Sequence, residues 1–274
     1  MSIARLAGAG LLLVLPGTLG PPMRAALADP PPASCAAPGD LAQLRGKLPR
    51  TAMRLAQHEP LTVVALGSSS TEGIGASTPE RTYPSQFALA LHERLPAQQV
   101  RVVNKGIGGE TAAQMAARLE RDVLAEHPDL VIWQIGTNAA LRDLPIEDIG
   151  KVVREGIVEI KNTGADVLLV DPQFVPRVIA KPEAEGMVRL IATTATSTKV
   201  SVFRRFAIMR HWRERDGMNF DTFTSGDGLH MNDWGYGCWA KLLCTAISDA
   251  ATRGVTSAHA APALVHTNSK SATP

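Results

Sequence analysis

Aromatic residues are scarce: six Phe, four Trp and two Tyr make up 4% of the 274 residues. That scarcity removes the base-stacking platforms of single-strand nucleic-acid binders and the broad apolar surface of an enzyme that works at a lipid interface. Excess charge of either sign is also missing, with 28 Lys plus Arg against 26 Asp plus Glu. A general polyanion binder is therefore not expected, and no basic tail or zinc-finger spacing points to nucleic acid as a partner. Long apolar runs are absent apart from Leu6 to Leu19, which Pro16 and Gly17 interrupt. That run is shorter than the roughly 20 residues a bilayer-spanning helix needs. With Arg5 ahead of it and Ala26-Leu27-Ala28 behind, residues 1–28 read as a cleavable secretory signal. No stable membrane anchor is expected. Acylation of Cys35 is disfavoured because Pro32 stands where an aliphatic residue belongs. Loss of the signal removes Arg5 and Arg24 and no acid, which brings the formal net charge to zero. The expected location is secreted or periplasmic.

Cysteine is sparse as well. Three in an exported chain suggest one disulfide and one leftover thiol, against the alternative of three small buried thiols. Cys238 and Cys244 lie six apart in an apparent helix, about 9 Å along its axis, too far to bridge. Any intrachain bridge must then include Cys35. The segment Asp40 to His58 returns toward the start of the first strand, so Cys35 begins near the opposite rim, which the last helix leaves after His230. Cys238 is the nearer partner, with Cys244 left free.

Residues 29–60 divide into a Pro- and Ala-rich linker and a segment of helical spacing, Asp40 to His58, with Pro49 as its break. Beyond it, short apolar runs at Leu61–Leu66, Val100–Val103, Leu130–Ile135, Val167–Val170 and Val200–Phe203 have the continuous hydrophobicity of buried parallel strands. Helical patterns separate or follow them at Tyr83–Leu95, Thr111–Glu126, Ile146–Asn162, Pro182–Thr194 and Asp233–Ala251. The alternation predicts an α/β fold over residues 61–253, a parallel sheet with helices on both faces and a binding crevice beyond the carboxyl ends of the strands. Residues 254–274 read as a disordered tail.

The loops after those strands carry the chemistry. The first strand runs into Gly67-Ser68-Ser69-Ser70-Thr71-Glu72-Gly73, a hydroxyl cluster that on its own reads as a helix cap or turn. The second runs into Asn104-Lys105-Gly106-Ile107-Gly108-Gly109-Glu110-Thr111, where glycines let backbone amides approach a ligand. A dinucleotide fingerprint fails there, because Thr111 stands where the third glycine belongs. Gly136-Thr137-Asn138 follows the third strand and brings a side-chain amide to the same rim. Asp227-Gly228-Leu229-His230 precedes the last helix. A carboxylate three residues before a histidine can accept from one ring nitrogen and leave the other free to take a proton. No second His or Cys cluster at ligand spacing accompanies it, so a metal site is not expected.

In order and placement, Gly67-Ser68-Ser69, Gly109, Gly136-x-Asn138 and Asp227-x-x-His230 resemble the four sequence blocks of the SGNH/GDSL hydrolases over roughly residues 61 to 250. The resemblance implies a single three-layer, flavodoxin-like α/β domain with about five parallel strands. It implies a serine esterase, with Ser69 as nucleophile, His230 as base and Asp227 as its orienting residue. The implied oxyanion hole is the Ser69 amide, the Gly109 amide and the Asn138 side chain, with no metal or organic cofactor. Ser68 departs from the family's Gly-Asp-Ser and Ala139 from its Gly-x-Asn-Asp, so whatever bonds those aspartates provide must come from elsewhere. The expected substrate is a small-molecule or glycan ester with a short acyl group. A lysophospholipase or thioesterase, an acyltransferase to a sugar and a non-catalytic glycan binder are the alternatives. The basic stretch Arg204, Arg205, Arg210, His211, Arg213 and Arg215, interleaved with Glu214 and Asp216, reads as a solvated helix face.

Overall fold

The computed structural model describes residues 34–259. The expected signal peptide and the first residues of the linker lie outside them. Five parallel strands, β1 (Leu61–Gly67), β2 (Val100–Gly106), β3 (Leu130–Gln134), β4 (Asp166–Val170) and β5 (Ser201–Phe203), form one sheet in the order β2-β1-β3-β4-β5. The chain leaves β1 for β2 on one side and returns to β3 on the other. The carboxyl ends of β1 and β3 therefore flank a topological switch point, where open α/β sheets form their crevice.

The central strands are apolar throughout because both their faces are covered. In β3, Leu130 and Ile132 point into one core, while Val131 and Trp133 point into the other. Helices α1 (Tyr83–Arg94) and α5 (Asp233–His259) contribute Phe87, Leu91, Tyr236, Trp239 and Leu243 to the first core. Helices α2 (Ile146–Asn162) and α3 (Ala184–Thr198) contribute Val153, Ile157, Met187 and Ile191 to the second. Each such side chain, fully buried, contributes about 1.5–3 kcal/mol. Edge strand β2 is only partly covered, and its Arg101 and Lys105 both pair with Glu126.

The expected helix over Thr111–Glu126 is broken into Ala112–Ala116, Leu119–Asp122 and a 3₁₀ turn at Leu124–Glu126. Arg118 sits at the break with φ −118° and ψ 10°. Its guanidinium turns inward to the carbonyls of Lys105 and Gly67 and to the Glu110 carboxylate. Residues 40–58 likewise form two short helices, Gly39–Ala42 and Pro49–Ala56, with Pro49 opening the second where its missing amide hydrogen costs nothing. Helix α5 continues to His259, past the expected start of a disordered tail.

A helix that the apolar spacing did not mark, α4 (Arg205–Glu214), follows β5. It is not the solvated face that its arginines suggested. Arg205 is 1% exposed and lies over the Trp239 ring. The N-terminal segment is tied to this region twice. The Trp212 indole donates to the Ala36 carbonyl, and Cys35 is disulfide-bonded to Cys238 with Cα atoms 5.3 Å apart. Cys244 is free and buried.

Candidate active site

Strand β1 ends at Gly67, where a Cβ would lie 2.0 Å from Thr71 Oγ1 and 2.8 Å from Gln134 Oε1. Only glycine lets the chain turn that tightly into the short helix Ser69–Glu72. The turn presents Ser69, partly exposed, at the switch point between β1 and β3. The loop from Ser225 to His230 crosses above it, and His230 Nε2 lies 2.9 Å from Ser69 Oγ. His230 Nδ1 lies 2.5 Å from Asp227 Oδ2. Ser69, His230 and Asp227 thus form one continuous line of hydrogen bonds.

Asp227 belongs to a tight turn in which its Oδ1 accepts from the amides of Leu229 and His230, both at 2.9 Å, and from the Ser225 hydroxyl at 2.7 Å. Partial burial pushes its carboxyl up. The two amides, the imidazole and the hydroxyl outweigh that and hold it well below the usual carboxylate range. A fixed negative charge on Nδ1 selects the tautomer whose Nε2 accepts the serine proton.

The glycine turn after β2 lies beside the serine, since a Cβ on Gly108 would sit 3.9 Å from Ser69 Cβ. Gly109 has φ +78°, and its carbonyl accepts from Arg142 at 2.7 Å. Among the described residues the amides of Ser69 and Gly109 have no hydrogen-bond partner. Asn138 Nδ2 donates to the Glu110 carbonyl at 2.8 Å, which orients the side chain and leaves its second N–H unused. The five residues expected from the sequence are therefore gathered around one crevice. The arrangement holds a proton acceptor on a hydroxyl and offers N–H donors for an oxygen that gains negative charge.

The departures at Ser68 and Ala139 have a local explanation. Gln134, the last residue of β3, accepts through Oε1 from the Ser68 amide at 3.0 Å, the Ser68 hydroxyl at 3.1 Å and the Thr71 hydroxyl at 3.3 Å. That glutamine ties the serine turn to β3 from beneath. Ala139 is 2% exposed and packs into the apolar core, where a carboxylate would be stranded.

Three further residues support the site and were missed in the sequence. Arg118 bonds to the carbonyls of Gly67 and Lys105 and to Glu110, clamping the first two loops together. Gln173, 1% exposed, accepts from Thr137 Oγ1 at 2.9 Å and donates to the Leu229 carbonyl at 3.1 Å. It spans the asparagine turn and the histidine loop. Arg205 donates to Gln173 Oε1 at 2.8 Å and to the Asp171 carbonyl at 3.1 Å. None of the three carried a local signal; Gln134, likewise missed, did, as the one polar residue in the run Leu130–Ile135. Among the described residues no cluster of His, Cys, Asp or Glu could hold a metal ion, and no helix is long and apolar enough to cross a membrane.

Comparison with known proteins agrees with this architecture. The chain is 32% identical over 114 residues to an arylesterase of Vibrio mimicus, covering 42% of this chain and 56% of that protein. It is 30% identical over 125 residues to an acetylxylan esterase of Geobacillus stearothermophilus, covering 42% of this chain and 57% of that one. The matches thus span little more than half the length of either relative. A two-domain esterase active on acetylated mannans superposes with a TM-score of 0.64 at 23% identity, over 77% of this chain and 56% of that one, which establishes a shared fold. The model of the non-GDSL lipase-like family matches residues 34–253, the whole sheet with the serine, glycine, asparagine and histidine loops, and the chain belongs to that family.

Proposed function

We propose that the protein is an exported serine carboxylesterase that removes short acyl groups, acetyl above all, from a carbohydrate or envelope glycan through an acyl-enzyme. The observation that carries this reading is the unbroken line from Ser69 Oγ through His230 to Asp227 at the switch point of the sheet. Ser69 Oγ attacks the acyl carbonyl while its proton passes to His230 Nε2. The carbonyl oxygen, now negative, is held by the Ser69 and Gly109 amides and by Asn138. Collapse breaks the ester bond, and the alcohol leaves with the proton from His230. Water, deprotonated by the same nitrogen, then frees the acid and restores the serine. The mechanism calls for no metal or organic cofactor.

The glycan preference draws support from the acetylxylan and acetylmannan esterases that the chain resembles. One observation favours a longer acyl chain. Ile74, Ile107, Leu144 and Ile179 are exposed on the loops that follow β1, β2, β3 and β4, an aliphatic fringe on the carboxyl side of the sheet. Each methylene such a fringe buries is worth about 0.8 kcal/mol. Measured kcat/KM on p-nitrophenyl acetate, butyrate, octanoate and palmitate decides between the two, followed by acetate release from acetylated xylan, mannan and peptidoglycan. Efficiency is expected to peak at acetate or butyrate. A maximum at octanoate or beyond would overturn the acetyl reading and reassign the protein to lysophospholipid or thioester hydrolysis.

A further inference from the structure

Away from the serine crevice, a groove runs beside β5, the open edge of the sheet. One part, about 310 Å³, is lined by Arg45, Asp171, Ser201 and Arg204. Another, about 610 Å³, is lined by Arg45, Lys47, Lys161 and Lys199. The two share Arg45, Ala195, Thr196 and Val200, so they are stretches of one groove. It extends from the amino ends of β4 and β5 to their carboxyl ends.

The charge in this groove is one-sided, although the chain as a whole is nearly balanced. Among the described residues none of Arg45, Lys47, Lys161, Lys199 and Arg204 forms a salt bridge. Elsewhere, Arg50, Arg54, Arg101, Lys105 and Arg118 each pair with a carboxylate. The two carboxylates that line the groove are already committed. Asp166 Oδ2 accepts from the Thr51 amide and hydroxyl, and Asp171 Oδ1 accepts from the Phe206 amide. Burial pushes both carboxyls up, Asp171 to about 7, which weakens them further as counter-charges.

At the inner end, Arg204 Nη2 is buried without an acceptor. Burial lowers the Arg204 pKa, and the neighbouring Arg45 guanidinium lowers it further, against a smaller opposing pull from the Asp40 and Asp171 carboxylates. Two neighbouring guanidinium groups, one of them with an N–H that no protein acceptor takes, are donors an anion can use. Beyond them the lysines continue the positive track. No aromatic side chain lines either stretch, so there is nothing for a nucleobase to stack on. The exposed Thr196 hydroxyl, which also lines it, donates to the Ala192 carbonyl and keeps its lone pairs for a sugar hydroxyl, whereas Ser201 is buried and accepts from the Gly46 amide.

We propose that this groove binds a linear anionic glycan, its carboxylate or phosphodiester groups seated between Arg45 and Arg204 and along Lys47, Lys161 and Lys199. The groove holds the polymer while the serine crevice works on esters nearby, raising their effective concentration without touching the chemistry. Binding goes beyond the esterase reading and stands without it, so it is measured on the Ser69→Ala protein.

The test is isothermal titration of full-length Ser69→Ala with an oligogalacturonate, a poly(glycerol phosphate) oligomer, a neutral mannan and a single-stranded oligonucleotide of matched length. At least one anionic glycan is expected to bind, mannan is not, and affinity is expected to fall steeply between roughly 50 and 200 mM salt. Arg45→Glu/Lys47→Glu, on exposed loop positions, should weaken binding about tenfold or more. Lys199→Asn, which tolerates the φ of +56° at that position, should weaken it by about threefold. In the wild-type background both variants should keep their thermal midpoint and their kcat/KM on p-nitrophenyl acetate. Failure of both anionic glycans to bind at low salt, or binding that the charge variants leave unchanged, overturns the proposal. Equally tight binding of the oligonucleotide overturns it in favour of a nucleic-acid groove.

Discussion

Two aspartates a short way apart in the fold show opposite physics. Asp227 sits in an exposed turn, its side chain 41% accessible, yet two backbone amides, a hydroxyl and an imidazole converge on it and keep it ionised. Asp171 is 1% exposed with one amide on its Oδ1, and there burial prevails and raises its pKa to about 7. The first belongs to the turn that faces the crevice. The second belongs to a buried polar layer of Asp171, Gln173 and Arg205 beneath it. Charge needed for chemistry is thus held by converging donors at the wet rim, and the layer below holds position. Removing the reacting and donor groups of the rim, Ser69, His230 and Asn138, should cost rate with little stability, and removing a hydrogen-bonding side chain of the layer, Gln173, should cost stability first.

The largest effect is expected at Ser69→Ala and His230→Ala, each lowering kcat about 10⁴-fold or more with an unchanged thermal midpoint, because such a set acts as a unit. A fluorophosphonate probe should label Ser69 stoichiometrically, as read by peptide mass spectrometry. Near-normal turnover by Ser69→Ala would return the nucleophile question to Ser68 and Ser70. Asp227→Asn keeps an acceptor for the amides but presents N–H to the imidazole, which favours the wrong tautomer. A fall of roughly 10³–10⁴-fold in kcat is expected. Asn138→Ala should cost roughly 10²–10³-fold in kcat with little change in KM, as for a donor used only when the oxyanion forms. A change confined to KM would assign Asn138 to substrate binding instead.

Next comes the layer. Gln173→Leu strands the Leu229 carbonyl, the Thr137 hydroxyl and one Arg205 nitrogen, all at buried contacts. A stability loss of about 1–3 kcal/mol is expected, with a kcat loss of about tenfold as His230 and Asn138 lose their shared brace. A variant that lost rate as severely as Asp227→Asn while keeping full stability would erase the distinction between rim and layer.

The rim was far more legible in the sequence than the layer, for a physical reason. Ser69, Gly109 and Asn138 each sit in a short local pattern of glycines and polar residues after a strand, Asp227 and His230 in another just before the last helix, and the strands declare themselves by continuous apolar runs. The bonds of Arg205 and Gln173 join positions more than thirty residues apart, and no local spacing encodes them. Arg205 therefore reads as one more arginine on a solvated helix until the fold buries it against Trp239. Arg118 hides in the same way. Its neighbours keep helical periodicity, while its side chain bonds to carbonyls brought there by β1 and β2. Ser68 and Ala139, read as gaps in a pattern, are matched by Gln134 and by an apolar core, both supplied by elements elsewhere in the chain.

The last test, and the one that probes the comparison most directly, is the pH dependence of stability. An acid with a folded-state pKa above its unfolded value keeps its proton longer when folded. Its contribution is complete below the unfolded value of 3.8 and drains away as pH rises toward about 7 for Asp171. Asp227 runs the other way, with a contribution present above 3.8 and lost as pH falls below it. Asp171→Asn retains an acceptor for the Phe206 amide and cannot ionise, so its thermal midpoint should gain on the wild type between pH 4 and pH 8. The slope is at most about 1.4 kcal/mol per pH unit. The charged groups facing Asp171 are Arg204 and Arg205. Both stay protonated across this range, so the slope reports the aspartate. Asp227→Asn should lie below the wild type at pH 6 and converge with it as the pH drops below 4. Thermal midpoints of the three proteins at pH 3, 4, 6 and 8 decide the matter. Parallel curves for Asp171→Asn and wild type would mean that the buried aspartate titrates like a surface one, and the contrast between rim and layer would then rest on hydrogen bonding alone.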